Sequence, residues 1–148
     1  MIKKIASRNF LINSLIVLLI FLIDRISKNY VINLYKESLD PKIFSSIYLD
    51  ISLIWNEGVA FGLLSFNDQS VYNILSIVIL IFILLIFYMA NKNEGLKKYS
   101  LFMILGGALG NFYDRLIYNA VPDFLDFHIG NFHWFIFNVA DIFITFGV

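Results

Sequence analysis

Two aspartates in the second half of the chain, Asp123 and Asp141, stand apart because neither has an obvious cation nearby in the sequence. Two carboxylates brought close together cannot both ionise cheaply, so one keeps a proton. Such a pair does acid and base work together: the ionised group draws a proton from water, and the protonated one donates to a carbonyl oxygen. The pair titrates as a unit, with macroscopic pKa values that belong to neither residue alone. This chemistry hydrolyses a peptide without metal, serine or cysteine. Spacing alone leaves two plainer readings open for these residues, a polar contact and a place on an ion pathway.

Other polar residues are placed to support such a site. Asn138 precedes Asp141 by three residues, and Asn111 precedes Asp114 by the same step, a spacing that puts each pair on one helix face. Asp24 and Lys28 form an i, i+4 pair, read either as an anchoring ion pair at the interface or as a functional one. Asp114 and Arg115 are neighbours, so on a helix they point apart and need partners elsewhere; bracing is read ahead of catalysis for both. Asn56 opens a turn, Asn56-Glu57-Gly58. Gly106, Gly107 and Gly110 in LGGALGN predict close helix packing inside a membrane. No metal or other cofactor is expected. The chain has no cysteine and no HExxH run, and His128 and His133 are five apart, the wrong step for two ligands on one helix face. Both histidines are read as interfacial residues.

The elements that must position these groups are membrane spans. The chain has 148 residues, 59% hydrophobic and 15% charged, with a mean hydropathy of +0.78. A soluble domain has roughly half apolar and about a quarter charged residues, so lipid is expected to solvate much of this surface. A net charge of zero excludes the basic surface that nucleic-acid binding needs. The expected fold class is an all-α membrane protein, a single domain over 1–148. Its four transmembrane helices lie at 9–30, 71–90, 99–118 and 133–148, and a small extracytoplasmic β-sheet lies in the outer segment 32–70. Val71 to Ala90 is uncharged and matches the roughly 20 residues that a crossing helix needs. Asn9 to Ile23 is uncharged too, but Asp24 and Arg25 follow it in place of a cleavage site, so it reads as a retained span rather than a signal peptide. The fourth span is short, and Asp141 interrupts it. In the outer segment IFSSIYLDISLIW alternates enough to predict strands.

Lysine and arginine mark the cytoplasmic side. Lys3, Lys4 and Arg8 precede the first span, and Lys92, Lys97 and Lys98 share the loop after the second with Glu94 as its only acid. Both termini are therefore expected in the cytoplasm. Asp24, Asn56, Asp114, Asp123 and Asp141 then converge on the outer surface. A carrier with cation-binding acids would spread them through the membrane depth, and the middle of the second span has none. A non-catalytic helical subunit is the remaining alternative.

Five segments in order resemble the lipoprotein signal peptidases (type II signal peptidases) of bacteria, over essentially the whole chain. Asp24 to Lys28 is similar to the family's D-x-x-x-K, and Asn56 to Phe61 to its N-x-G-x-A-F. Gly106 to Arg115, GGALGNFYDR, is similar to G-G-x-x-G-N-x-x-D-R; Val121 to Phe124 to V-V-D-F; and Phe137 to Asp141 to F-N-x-A-D. The resemblance implies a four-helix aspartic peptidase of the bacterial inner membrane with a small extracytoplasmic sheet. It would cut prolipoproteins just before a cysteine that already carries diacylglycerol. It implies Asp123 and Asp141 as the catalytic pair, with Asp24, Lys28, Asn56, Gly107, Asn111, Asp114, Arg115 and Asn138 supporting or facing substrate. It also implies inhibition by globomycin. The partners expected are diacylglyceryl prolipoproteins and membrane lipids, with no nucleic acid, and the chain is expected to be monomeric. Glu57 and Pro122 depart from the family pattern, and the C-terminus is shorter than usual.

Overall fold

The computed structural model describes residues 2–40, 42–58 and 69–148; Val59, Ala60 and Phe61 of the second matched segment lie outside them. Helix α1, Ile2–Ser38, has 37 residues and so runs about 55 Å at 1.5 Å per residue. It continues past residue 30 into what was expected to be the outer segment. Helix α2 is Gln69–Lys92. Phe10–Ser38 and Tyr72–Lys92 are each long and apolar enough to cross a membrane. Along α2, Ile74, Ile77, Phe82, Leu84 and Phe87 are all exposed, a contiguous apolar surface that suits lipid rather than water.

Helix α3, Gly95–Tyr118, packs against α1, α2 and the short helix α4, Val139–Gly147. Glycine makes this possible. A Cβ on Gly107 would lie 2.5 Å from the Ala140 carbonyl oxygen, and one on Gly110 would lie 2.5 Å from the Asp24 carboxylate. The α3 backbone can therefore meet α4 and the Asp24 side chain directly. Ile83, Leu101, Phe102 and Leu105 form the buried core between α2 and α3.

Strands β1, Lys42–Ser45, β2, Leu49–Asn56, β3, Val121–Ile129, and β4, Phe132–Phe137, form one antiparallel sheet in that order. Val31 and Ile32 of α1 pack beneath it against Leu53 and Phe124. At its β1–β2 edge the Lys42 ammonium, 2.7 Å away, and the Ser45 hydroxyl, 2.6 Å away, hold the Asp50 carboxyl well below the usual carboxylate range.

Half of the sheet lies beyond the segment where it was expected, and residues 133–137 are strand rather than the start of a fourth span. The reason is local. Gly130 adopts φ 59°, and Gly130-Asn131 closes a two-residue hairpin with Ile129 opposite Phe132. His128 and His133, five apart in sequence, thereby become cross-strand neighbours with rings stacked at 5.0 Å. Pro122 sits on the stretch of β3 that β4 does not reach, since that pairing ends at Leu125 opposite Phe137, and such an edge position tolerates proline. Helix α4 starts only at Val139; its nine residues rise about 13.5 Å.

Candidate active site

The sequence brings a helix end, a strand and a helix start to one place. Asn119 ends α3 in the left-handed conformation, φ 55°, with its N–H donating to the Arg115 carbonyl at 3.2 Å. Strand β3 starts at Val121 and carries Asp123 back beside the last turns of α3. β4 then runs straight into Asn138, the N-cap of α4. Asn138 and Asp141 form a capping box: the Asn138 side chain accepts the Asp141 N–H, and the Asp141 carboxylate accepts the Asn138 N–H. The expectation that both residues share a helix face is corrected by this cap. Asn138 precedes the helix and Asp141 lies in its first turn.

Asp123 is 4% exposed. It accepts Asn138 Nδ2 at 2.6 Å and Asn56 Nδ2 at 2.8 Å. Asn56 reaches it diagonally across the β2–β3 pair, where Asn56 faces Val121 and Ile54 faces Asp123. Asp141 Oδ1 accepts Asn111 Nδ2 at 2.8 Å. All three amides are held in one orientation by groups that only donate. The Gly58 N–H fixes Asn56, the Asp141 N–H fixes Asn138, and the Lys28 ammonium fixes Asn111 at 2.8 Å. Each amide must therefore turn its NH₂ toward a carboxylate.

Behind these groups lies a buried ion cluster. Asp24, Lys28 and Asp114 are completely buried. Lys28 Nζ lies 2.9 Å from Asp24 and 2.7 Å from Asp114. Arg25 completes the cluster, holding both Asp114 oxygens and lying 2.7 Å from Asp24. Two carboxylates thus meet two cations. Arg25 escaped the reading of the sequence; its one signal there was that Asp24 and Asp114 together need two cations and Lys28 is only one. Asp24 Oδ1 also accepts the Ala140 N–H at 3.1 Å, tying the start of α4 to α1. Arg115 takes a separate role, donating to the Gly58 carbonyl at 3.1 Å and to the Asn111 carbonyl at 3.2 Å.

Asp123 and Asp141 line one cavity of about 490 Å³ with Asn56, Asn111, Arg115 and Asn138. The rest of its wall includes apolar groups from α2, α3 and α4, among them Ile79, Ala108 and Ile144. Among the described residues no group of three or more His, Cys, Asp or Glu is placed to hold a metal ion. Burial pushes the Asp123 carboxyl up to about 6, with the Asp141 charge adding to the rise and the Asn56 and Asn138 amides opposing it. The folded state thus holds this proton more tightly than the unfolded chain, whose carboxyl has a value of 3.8. The stability this contributes is full below about pH 4 and is lost as pH rises through about 6, on the order of 3 kcal/mol. Asp123→Asn is expected to flatten that part of the pH dependence, read as thermal midpoints in detergent from pH 4 to 7. An unchanged slope in the variant contradicts this.

The family described as signal peptidase (SPase) II matches residues 16–148. A lipoprotein signal peptidase of Pelagibacter ubique (strain HTCC1062) is 47% identical over 146 residues, 99% of this chain and 88% of that protein. One from Anaplasma phagocytophilum (strain HZ) is 40% identical over 144 residues, 95% of this chain and 89% of that protein. A solved bacterial membrane enzyme superimposes with a TM-score of 0.70 at 27% identity, covering 91% of this chain and 81% of that one. On the extent of these matches, the chain belongs to the signal peptidase II family.

Proposed function

We propose that the chain is a membrane aspartic endopeptidase that removes signal peptides from diacylglyceryl-modified prolipoproteins, cutting just before the lipidated cysteine. One observation carries this reading: two carboxylates from separate elements share a cavity whose wall combines polar side chains with apolar ones. Asp123 and Asp141 hold one proton between them. The ionised carboxylate takes a proton from a water molecule as its oxygen attacks the scissile carbonyl carbon. The protonated carboxylate donates to the carbonyl oxygen, giving a neutral gem-diol. When the C–N bond breaks, one hydroxyl returns its proton to the pair and the other carboxyl proton passes to the departing amine, so the pair again holds one proton. Asn56, Asn111 and Asn138 orient the two carboxylates, and Arg115 offers a positive charge at the cavity wall.

Helices α1, α2 and α3 are read as crossings, and α4, which rises about 13.5 Å against a core of roughly 30 Å, as entering the membrane from the same face as the sheet. The basic N-terminus and the Lys92, Lys97 and Lys98 loop lie in the cytoplasm, and the sheet and carboxylates lie at the extracytoplasmic face. One chain supplies both carboxylates, so a monomer suffices. The apolar wall of the cavity suits the acyl chains. Their burial, at about 0.8 kcal/mol per methylene, supplies binding energy away from the scissile bond. The test is cleavage by the purified chain of one prolipoprotein with and without diacylglycerol on its cysteine. The modified form is expected to be cut with a kcat/KM at least about 100-fold higher, as four buried methylenes alone would give. Equal cleavage of the two forms would overturn the assignment.

A further inference from the structure

A second cleft, of about 380 Å³, opens between α1 and α2 over α3, and its walls include Asn13, Val17, Phe87, Asn91, Phe102 and Leu105. It lies toward the other end of the helices from the carboxylates, Asn13 being eleven residues or about 16 Å along α1 from Asp24. Most of its lining is apolar, but Asn13 is not. Asn13 is 8% exposed and lines the cleft, and its amide has no hydrogen-bond partner among the described residues. The amide opens on the cleft, so whatever fills the cleft supplies its hydrogen bonds.

The turn that joins α2 to α3, one helical turn beyond the cleft residues Asn91 and Phe102, carries three lysines against Glu94. Lys98 is partly buried and precedes Phe102 by four residues and Leu105 by seven, so it continues their stripe on α3. Lys92 follows Asn91 at the end of α2, and Lys97 adds a third ammonium. A signal peptide begins with a basic segment, which these lysines repel, so charge excludes the substrate's own leading end as occupant. We propose that this cleft binds an anionic phospholipid: an acyl chain against Val17, Phe102 and Leu105, the phosphate at Lys98 and Lys92, and a glycerol ester oxygen accepting from the Asn13 amide. This proposal is independent of the reading of Asp123 and Asp141.

The probes are dioleoyl phosphatidylglycerol and dioleoyl phosphatidylcholine, added to the full chain in detergent and read by native mass spectrometry and thermal midpoint. Phosphatidylglycerol is expected to be retained at least about fivefold more than phosphatidylcholine, roughly 1 kcal/mol of preference, and to raise the midpoint more. Asn13→Leu/Lys98→Gln is expected to abolish the preference and to leave prolipoprotein cleavage in lipid-free detergent unchanged. Lys92→Gln/Lys98→Gln, which leaves the interior of the cleft intact, should abolish it as well and covers failure of the first variant to fold. Equal retention of the two lipids by the unsubstituted chain, or a preference that survives in the folded variants, would overturn the proposal.

Discussion

Replacing Asp141 by asparagine is expected to slow prolipoprotein cleavage by at least about 1000-fold, within the range that positioned acid–base groups contribute, while the protein stays folded. The second half of that expectation follows from the capping box. An asparagine at 141 keeps one side-chain oxygen, which can still accept the Asn138 N–H that closes the first turn of α4. It then turns an NH₂ toward Asn111, whose own NH₂ cannot rotate away because Lys28 holds its oxygen at 2.8 Å. That mismatch costs about 1–3 kcal/mol at most, and water in the cavity relieves part of it. The carboxylate itself has no substitute, since an amide neither takes a proton from water nor gives one to a carbonyl. Single-turnover cleavage with a parallel thermal midpoint separates the two effects. A folded variant that keeps a tenth of the rate would remove Asp141 from the chemistry.

The largest effect on stability is expected from Lys28→Met, a loss of about 3–5 kcal/mol. Methionine follows the same unbranched path but carries no charge. Asp24 and Asp114, both completely buried, would then share only Arg25. One negative charge would be left uncompensated in an environment that cannot solvate it. Asn111 would lose the donor that sets its orientation, and Asp141 would lose a fixed partner with it. The thermal midpoint in detergent should fall sharply, and pairing the change with Asp114→Asn should restore part of the loss by returning the cluster to one anion and one cation. A Lys28→Met midpoint equal to that of the unsubstituted chain would show that the cluster does not carry the fold.

Much of this arrangement was legible in the sequence. The glycines of LGGALGN announced close helix approach, and the contacts a Cβ would make at Gly107 and Gly110 show which partners need it. The alternation from Ile43 to Trp55 announced β1 and β2. β3 and β4 were hidden because the same aromatic run, FHWFIF, also suits the start of a membrane span. Only the Gly130-Asn131 pair, a hairpin signal between two apolar runs, separates the two readings. The roles of the asparagines were legible only in part. Spacing placed Asn138 near Asp141, but the side chain that each amide serves depends on tertiary register. Asn56, Asn111 and Asn138 come from a strand, a helix and a cap that meet only in the folded chain. Arg25 shows the limit of pair counting, since its main partner, Asp114, lies 89 residues away.

The proposed coupling of Asp123 and Asp141 into one unit is open to a double-variant cycle. Single-turnover cleavage of a diacylglyceryl prolipoprotein would be measured for Asp123→Asn, Asp141→Asn and the two combined, each checked for folding. If the carboxylates share one proton and one reaction, each single change removes the whole acid–base contribution and the double variant is no slower than the slower single one. Losses that multiply, or a folded single variant that cleaves within tenfold of the unsubstituted chain, would contradict the account.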